Sequence, residues 1–346
     1  FKTSAILKTS RFGYDGKGHV KIDDPNAILD AWKTLGGVST IMEQTVDFER
    51  EISVVVARDL DENIASYVPV DNVHRHHILH TTTAPSSVNS SVAREAVSMI
   101  ENPNSRVVDA STAHRVADNW VYGMAEYDAD QMTRIATARR VSNPGCYPVA
   151  TIALVHPLVE AGLLPVNWPL TINAVSGYSG GGKGLIAAFE NKTANDHTAD
   201  CFQVYGLTLE HKHAPEIHKY SGLKHRPLFV PSVGRYAQGM IVQVPLQLWA
   251  LPSNPKPSEL HAVLTDYYAD RRFVTVASLE DTSAISRLQP EMLNNTNELR
   301  LHVFGNESQG QAVLIGLLDN LGKGASGMAV QNMNIMLGLE EAMGLD

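Results

Sequence analysis

The chain has 346 residues, of which 44% are hydrophobic and 19% are charged, so it can bury a sizeable core and has the length of about two domains. Its formal net charge of −9 argues against general binding to nucleic acid or to an anionic membrane. Two cysteines cannot make a disulfide scaffold, and neither a signal peptide nor a run of 18 apolar residues is present, so the cytoplasm is the expected location.

The N-terminal quarter of the chain predicts short strands around one helix. Pro25 begins the helix and Gly36 ends it. Its apolar residues are predicted to lie on one face of the helix: Ile28, Leu29, Trp32 and Leu35. The strands are predicted at residues 4–9, 48–58 and 64–70, the last two as a hairpin, with a glycine-rich loop at 12–18. The histidines of 74–80 predict an exposed loop, and the small polar residues of 81–92 predict a linker.

Beyond the linker, strands and helices alternate, which predicts an α/β region followed by an α+β region. The predicted helices are at residues 92–100, 149–160, 258–268 and 328–341. The predicted strands are at 106–109, 140–142, 170–175, 228–230, 240–248, 273–276, 299–304 and 311–317.

The sharpest local signal is the run Ser142-Asn143-Pro144-Gly145-Cys146-Tyr147-Pro148, in which a strand ends, a tight turn follows and a helix begins. Cys146 is therefore predicted at a helix N-terminus, where unpaired N–H groups and the helix dipole favour a thiolate and lower the thiol pKa. Such a thiolate can attack an activated carbonyl. We expect a thiol reagent to label Cys146 far faster than Cys201, which is expected to be a buried structural cysteine.

The run His211-Lys212-His213-Ala214-Pro215-Glu216 is the second signal. A His-x-His pair could bind a metal, but no further ligands have matching spacing, so no metal is predicted. A general acid or base beside the thiol is the better functional interpretation. The alternative is a solvated turn without chemistry.

Two glycine-rich runs imitate nucleotide-binding motifs. Residues 177–184 almost match the phosphate-loop pattern, but Gly184 stands where the magnesium-binding hydroxyl should be, so a backbone-lined anion site is the better prediction. Residues 322–327 fit G-x-G-x-x-G, but no second strand and no acidic partner follow at the required distance. Close packing at the start of the last helix is the favoured interpretation of these glycines.

From about residue 93 to the C-terminus the chain resembles the N-acetyl-gamma-glutamyl-phosphate reductases of the shorter bacterial type. Aspartate-semialdehyde dehydrogenases share the chemistry, but the cysteine and histidine runs match the acetylglutamyl enzymes better. The matching segments are 107–115, 142–148, 173–183, 211–216, 231–240 and 318–327.

The resemblance implies that Cys146 attacks the acyl phosphate of N-acetylglutamyl 5-phosphate and that NADPH reduces the resulting thioester to the 5-semialdehyde. It implies His213 as the proton shuttle, with His211 as the rival. Guanidinium groups suit the carboxylate and phosphate of the substrate. The implied substrate-binding residues are Arg115, Ser176, Gly177, Tyr178, Arg235 and Gln238. The implied cofactor contacts are Ser111, Ser179, Gly180, Gly181 and Asn320.

Residues 1–85 instead resemble the middle of an ATP-grasp enzyme, N5-carboxyaminoimidazole ribonucleotide synthase. The matching segments are 7–18, 46–58, 72–75 and 82–85. In that family Lys8 and the loop with Lys17 would cover the phosphates of ATP, and Glu43 would reach the adenine side. The acidic magnesium ligands should follow Pro85 and are absent, so we expect no working ATP site.

Together these resemblances predict an α/β protein with three parts. An ATP-grasp fragment (1–85) and a junction (86–92) precede the remainder of a Rossmann-type NADP domain (93–145 and 319–346). An α+β catalytic and dimerisation domain of the semialdehyde dehydrogenase type occupies 146–318. No glycine fingerprint for NADP precedes Cys146, so we expect weak NADPH binding.

The expected partners are a small-molecule substrate and further copies of the chain. Two other functions remain open on the sequence, namely an ATP-dependent ligase fragment with an appended domain and a non-catalytic remnant of a fusion.

Overall fold

The computed structural model describes residues 4–9, 18–45, 48–49, 51–53, 56–58, 64–66, 70–75, 78–83 and 106–345. The chain forms two compact units, residues 1–105 and 106–346. The predicted junction at 86–92, the helix predicted at 92–100 and Lys17 lie outside the described residues.

The first unit consists of short antiparallel strands and one helix. In one sheet β1 (Ala5–Thr9) lies between β2 (His19–Ile22) and β3 (Thr40–Gln44), with α1 (Ile28–Thr34) beside it. The remaining strands are β4 (Glu51–Ser53), β5 (Val56–Arg58), β6 (Ile64–Ser66), β7 (Val70–Arg75) and β8 (Ile78–Thr83). Strands β5 and β6 form the predicted hairpin.

One prediction for this unit is wrong. The histidine-rich and threonine-rich stretches form the hairpin β7–β8, not a loop and the start of a linker, because cross-strand pairing outweighs their polar composition. The predicted apolar face of α1 is only partly buried, since Ala31 is covered whereas Leu29 and Trp32 are exposed. A seven-residue helix on a three-stranded sheet offers too small a core to cover a wider face.

The second unit contains a large mixed sheet and a small parallel one. Its strands are β9 (Val107–Asp109), β10 (Val121–Tyr122), β11 (Arg140–Ser142), β12 (Thr171–Gly177), β13 (Phe202–Val204), β14 (Leu228–Gly234), β15 (Met240–Gln247), β16 (Val274–Val276), β17 (Leu299–Asn306) and β18 (Gln311–Leu318). Its helices are α2 (Gln131–Thr137), α3 (Cys146–Glu160), α4 (Gly182–Glu190), α5 (Ala214–Ser221), α6 (Pro257–Tyr267), α7 (Leu279–Ala284) and α8 (Gly327–Leu337).

The large sheet has the order β13-β14-β12-β15-β18-β17-β16, with β12–β14 and β16–β17 parallel and the other pairs antiparallel. Helix α3 packs on one face, and Gly316 of β18 allows close approach because a Cβ there would lie 2.9 Å from Ala150 Cβ. Inside α3, Pro157 leaves the Ala153 carbonyl without its helical donor. The Tyr268 hydroxyl donates to that carbonyl at 3.0 Å, so the carbonyl has a hydrogen-bond donor, and α3 continues to Glu160.

The small sheet has the order β10-β11-β9, and all its pairs are parallel. Helices α2 and α8 pack on this sheet through a small apolar cluster that includes Ile135, Val141 and Ile335. Among residues 106–345 no strand pairs with the outer edge of β9, and Val107 on that strand is 44% exposed. The sheet is therefore a partial version of the predicted Rossmann sheet.

Candidate active site

Cys146 is the first residue of α3, as the sequence predicted. The chain leaves β11 at Ser142 and turns through Asn143 and Pro144. Gly145, the residue before the helix, is extended, with φ −78° and ψ 153°. The Cys146 side chain is half-buried.

Gly145 is where three side chains meet. Its N–H donates to Glu216 Oε1 at 2.9 Å. A Cβ on this residue would lie 2.5 Å from His213 Nε2 and 2.6 Å from Arg115 Nη1, so a larger residue does not fit without displacing them. The imidazole of His213 therefore lies directly against the residue that precedes Cys146.

The buried carboxylate of Glu216 is hydrogen-bonded to this turn. Glu216 also accepts from the Tyr122 hydroxyl at 2.8 Å and pairs with Arg115 Nη1 at 3.4 Å. Burial raises the pKa of Glu216, and the Arg115 charge and the donated hydrogen bonds oppose that rise. Arg115 also donates to the carbonyls of Asn143 (3.0 Å) and Ala110 (2.8 Å), so the guanidinium predicted to hold substrate is engaged by protein oxygens.

Two imidazoles lie together beside the turn. His213 is 4% exposed, His211 is half-buried, and their ring centroids are 4.8 Å apart. His211 Nδ1 accepts a hydrogen bond from the backbone N–H of His213 at 3.1 Å. Burial lowers the pKa of His213 well below its usual range and the pKa of His211 to about 4, and the charge of Lys212 acts in the same direction. Both rings are therefore neutral at neutral pH, and His213 can accept a proton.

The expected lowering of the Cys146 pKa is wrong. Burial raises the pKa of the thiol to about 11, although the Tyr147 N–H and the charges of Lys212 and Arg115 lower it. Desolvation of the thiolate outweighs the field of the helix N-terminus, and the Glu216 carboxylate adds to the rise. The thiol is therefore protonated in the free protein and would need a base in order to react as a nucleophile.

The expectation for Cys201 is also wrong, because this cysteine is exposed. It immediately precedes β13, an edge strand of the large sheet, where little packs over it. The expected order of labelling at neutral pH therefore reverses. Exposed Cys201 should react first, since only a small fraction of Cys146 is thiolate.

A cavity of about 350 Å³ opens over Cys146. It brings together both imidazoles and part of the glycine-rich run at 177–184, in which residues 178–181 form a tight turn before α4. Four residues predicted to bind substrate or cofactor line it: Ser176, Gly177, Gly180 and Gly181. The other lining residues are Tyr147, Leu185, Gln203, Tyr205, Lys212 and Val233.

Asn320 forms hydrogen bonds to two loops next to this cavity. Its Oδ1 accepts from the Gly239 N–H at 2.7 Å, and its Nδ2 donates to Ser179 Oγ at 3.0 Å. A Cβ on Gly180 would lie 3.6 Å from Asn320 Nδ2, so the three predicted cofactor contacts Ser179, Gly180 and Asn320 are neighbours. Ser179 and Asn320 are buried.

Other predicted site residues make contacts outside the cavity lining. Arg235 donates to the carbonyls of Asp200, Phe189 and Thr198 and stacks on the Phe189 ring. Tyr178 donates to Glu190 at 2.9 Å. The remaining two are Gln238, which donates to Asp319 at 2.9 Å, and Ser111, which donates to Asp109.

In the first unit, Lys8 on β1 forms an ion pair with Glu43 on the neighbouring strand β3. Both side chains are partly exposed. ATP contact by these two residues stays a prediction.

No site role was predicted for Glu216 or Lys212, although both stand in the histidine run 211–216. Glu216 follows His213 by three residues, which puts both on one side of the first turn of α5. That spacing was a usable signal for Glu216. Lys212 lines the cavity and makes no hydrogen bond or ion pair within residues 106–345.

Across the described ranges, no three His, Cys, Asp or Glu side chains cluster closely enough to hold a metal ion. Of the helices in the described part of the chain, none is both long and apolar enough to cross a membrane.

Comparisons with known proteins match two parts of the chain to two different families. Residues 146–320 match the family model for the semialdehyde dehydrogenase dimerisation domain, and residues 1–108 match the ATP-grasp domain. The chain is 54% identical over 247 residues to N-acetyl-gamma-glutamyl-phosphate reductase of Brucella anthropi, covering 71% of this chain and 79% of that relative. It is 52% identical over 250 residues to the protein of the same name from Burkholderia cenocepacia, covering 72% and 80%.

Among solved structures, aspartate semialdehyde dehydrogenase II from Vibrio cholerae superposes with a TM-score of 0.53 at 14% identity, covering 73% of this chain and 78% of that one. This likeness shows the fold alone. Together the comparisons confirm both predicted resemblances and the predicted fold class.

Proposed function

The chain belongs to the N-acetyl-gamma-glutamyl-phosphate reductase family, and from that premise we propose that it acts on N-acetyl-L-glutamyl 5-phosphate in arginine biosynthesis. The family reaction reduces this acyl phosphate to N-acetyl-L-glutamate 5-semialdehyde. The observation that carries the proposal is the meeting of Cys146 and a neutral His213 in one cavity at the start of α3.

Cys146 carries out the first step, acyl transfer. Its sulfur forms a bond to the acyl carbon, the bond from that carbon to the phosphate oxygen breaks, and inorganic phosphate leaves with the electron pair. The thiol proton passes to the neutral imidazole of His213, which is needed because burial raises the pKa of Cys146 to about 11. No electron is gained or lost in this step.

His213, and not His211, is the proposed proton shuttle. The His213 imidazole lies against Gly145, next to the nucleophile. His211 instead accepts the hydrogen bond from the His213 backbone, which fixes the loop that carries both rings. His211 is therefore proposed to position His213.

The anionic groups of the substrate are proposed to bind along the cavity wall formed by Lys212 and the glycine-rich turn. Lys212 brings a positive charge, and Gly180 and Gly181 let a ligand approach the backbone closely. Ser176 and Gly177 line the same wall.

Three predicted substrate contacts are better supported as positioning residues, because their polar groups already bond to the protein. They are Arg115, Arg235 and Gln238.

NADPH, which the family reaction implies, would supply the hydride that reduces the thioester. Ser179, Gly180 and Asn320 form a neighbouring group that suits its nicotinamide end. The pyrophosphate end finds no matching residues, because β9 is the outer strand of its sheet among residues 106–345 and the segment after it, 110–120, contains no glycine. The described residues therefore do not fit the whole cofactor.

Acyl transfer can be tested without any nicotinamide. The chain is mixed with N-acetyl-L-glutamyl 5-phosphate, and inorganic phosphate is measured in the first seconds. We expect a burst of about one phosphate per chain, the signature of an acyl-enzyme. The burst should vanish in Cys146→Ser and persist in Cys201→Ser, and equal bursts in the two variants would refute the proposal.

A second copy of the chain is the proposed protein partner, since the matched family model describes a dimerisation domain. The face of the large sheet opposite α3 offers partly exposed apolar side chains, which include Phe304, Val313 and Ile315. Sedimentation of the chain at micromolar concentration should give at least twice the single-chain mass. A single-chain mass there would contradict this assembly.

A further inference from the structure

The last glycine-rich run carries a lysine that the proposed chemistry does not use. Residues 322–326 form one π-helical turn that leads into α8. Lys323 on this turn is completely buried. A buried lysine is costly and is normally kept only with a partner that compensates its charge.

The partner of Lys323 is an equally buried carboxylate. Lys323 Nζ donates to Glu126 Oε1 at 2.6 Å and to Gln331 Oε1 at 2.7 Å, and Gln331 Nε2 donates to Glu126 Oε1 at 2.9 Å. The Lys323 ammonium also lies 5.3 Å from the centre of the Phe273 ring. Burial works against ionisation of Glu126, but the Lys323 charge and the hydrogen bonds lower its pKa, which favours the carboxylate form of Glu126.

The turn that contains Lys323 packs directly against Cys146, the proposed nucleophile. A Cβ on Gly324 would lie 2.7 Å from Cys146 Cβ. The next carbonyl, of Ala325, accepts from Asn143 Nδ2 at 3.0 Å. The turn thus contacts both the cysteine and the loop that leads into it.

The opposite side of the turn is equally constrained. A Cβ on Gly322 would lie 2.2 Å from the Thr296 carbonyl oxygen, so the backbone of the turn is wedged between this carbonyl and Cys146. A small movement of the turn therefore changes the surroundings of the sulfur.

We propose that Lys323 is a positioning residue for the reactive cysteine: its ion pair with Glu126, shared with Gln331, holds the turn 322–326 against Cys146 and so sets the solvent access of the thiol. An apolar pair of similar volume would fill the same space, often without loss of stability. The charged pair adds directional hydrogen bonds, and an ammonium that donates to two acceptors fixes the position of the turn. This proposal rests on Cys146 being the nucleophile of the proposed function.

The test removes both charges in the whole chain, in the variant Lys323→Met with Glu126→Gln. Removing Lys323 alone would leave a buried unpaired carboxylate and endanger folding. Iodoacetamide labelling at pH 8 is followed by peptide mass spectrometry, with Cys201 as the internal reference. The labelling rate of Cys146 relative to Cys201 should rise at least about threefold, because a more hydrated thiol ionises more readily while each thiolate becomes less nucleophilic.

The control is the exposed pair of Lys256 and Glu307, which are 2.7 Å apart. Lys256→Met with Glu307→Gln should leave the labelling ratio of the two cysteines unchanged. An unchanged ratio in the folded Lys323 and Glu126 variant would overturn the proposal, as would the same rise in the control.

If the doubly neutral variant does not fold, hydrogen exchange of the unaltered chain decides. The amides of 322–326 should be protected as strongly as those of α3, and exchange within seconds would overturn the proposal. Neither measurement uses substrate. A changed labelling ratio together with a failed phosphate burst would therefore count against the proposed function and leave the role of Lys323 in setting thiol access standing.

Discussion

Replacing His213 with asparagine is expected to lower the rate of the phosphate burst by about 10²- to 10⁴-fold, the range that a positioned general base contributes. The reason is the raised pKa of Cys146, about 11, which leaves almost no thiolate at neutral pH unless a neighbour takes the proton. His213 is buried and its pKa is lowered, so it is the base available there. Rapid-quench phosphate release measures the effect.

The pH dependence separates loss of the base from a general structural defect. In the unaltered chain the burst rate should be nearly flat from neutral pH to about 9, because His213 is already neutral and the thiol still protonated. In His213→Asn the rate should rise about tenfold per pH unit towards 11, since preformed thiolate must then attack.

The matched control for this prediction is His211→Asn, which keeps the base and should lose less than about tenfold. A flat profile in His213→Asn, or an equal loss in both variants, would contradict the assignment.

Replacing Gly145 with alanine is expected to lower the burst rate by at least about 100-fold, because misplacing a catalytic group by about 1 Å has an effect of that size. The added Cβ would lie 2.5 Å from His213 Nε2 and 2.6 Å from Arg115 Nη1, so one or both must move. Overpacking of this kind also destabilises a protein by about 1–3 kcal/mol. Thermal melting beside the burst measurement follows both effects.

Gly184→Ala is the control for Gly145→Ala. Gly184 lies within α4, is absent from the cavity lining, and has no atom within 4 Å of an added Cβ. Alanine there should raise helix stability by up to about 1 kcal/mol and leave the burst unchanged. Equal burst rates for the two alanine variants would show that His213 does not need its contact with Gly145.

Many strands of the second unit, residues 106–346, could be predicted from local sequence, because these strands are apolar and the turns between them carry Gly and Pro. The position of Cys146 at a helix start follows from the turn residues alone. The sequence predicted strand β14 only over residues 228–230, and the next residue, Pro231, has no N–H to donate. The structure continues this strand to Gly234, since its neighbours β12 and β13 pair with it through the other residues.

The sequence could not show that burial of the Cys146 thiol raises its pKa more than the electric field of the helix N-terminus lowers it. The helix dipole acting on Cys146 can be inferred from a motif, but the desolvation that raises its pKa depends on Gly324 and other residues distant along the chain. Glu216 is another case. It was visible in the histidine run, yet its role depends on a bond to Gly145, 71 residues away.

The run 322–327 shows the same limit. Its glycines fit a dinucleotide pattern, and the alternative of close packing at the last helix is the one that agrees with the contacts of Gly322 and Gly324. The buried ion pair of Lys323 was not predicted, because Glu126 lies 197 residues away in sequence.

The most direct measurement of the central chemistry is the mass of the acylated chain after acid quenching of the phosphate-burst mixture. We expect one N-acetylglutamyl group on the peptide that contains Cys146, and neutral hydroxylamine should remove it as it removes thioesters. An unmodified Cys146 peptide at the end of the burst, or an adduct that hydroxylamine leaves in place on Lys212, would contradict this expectation.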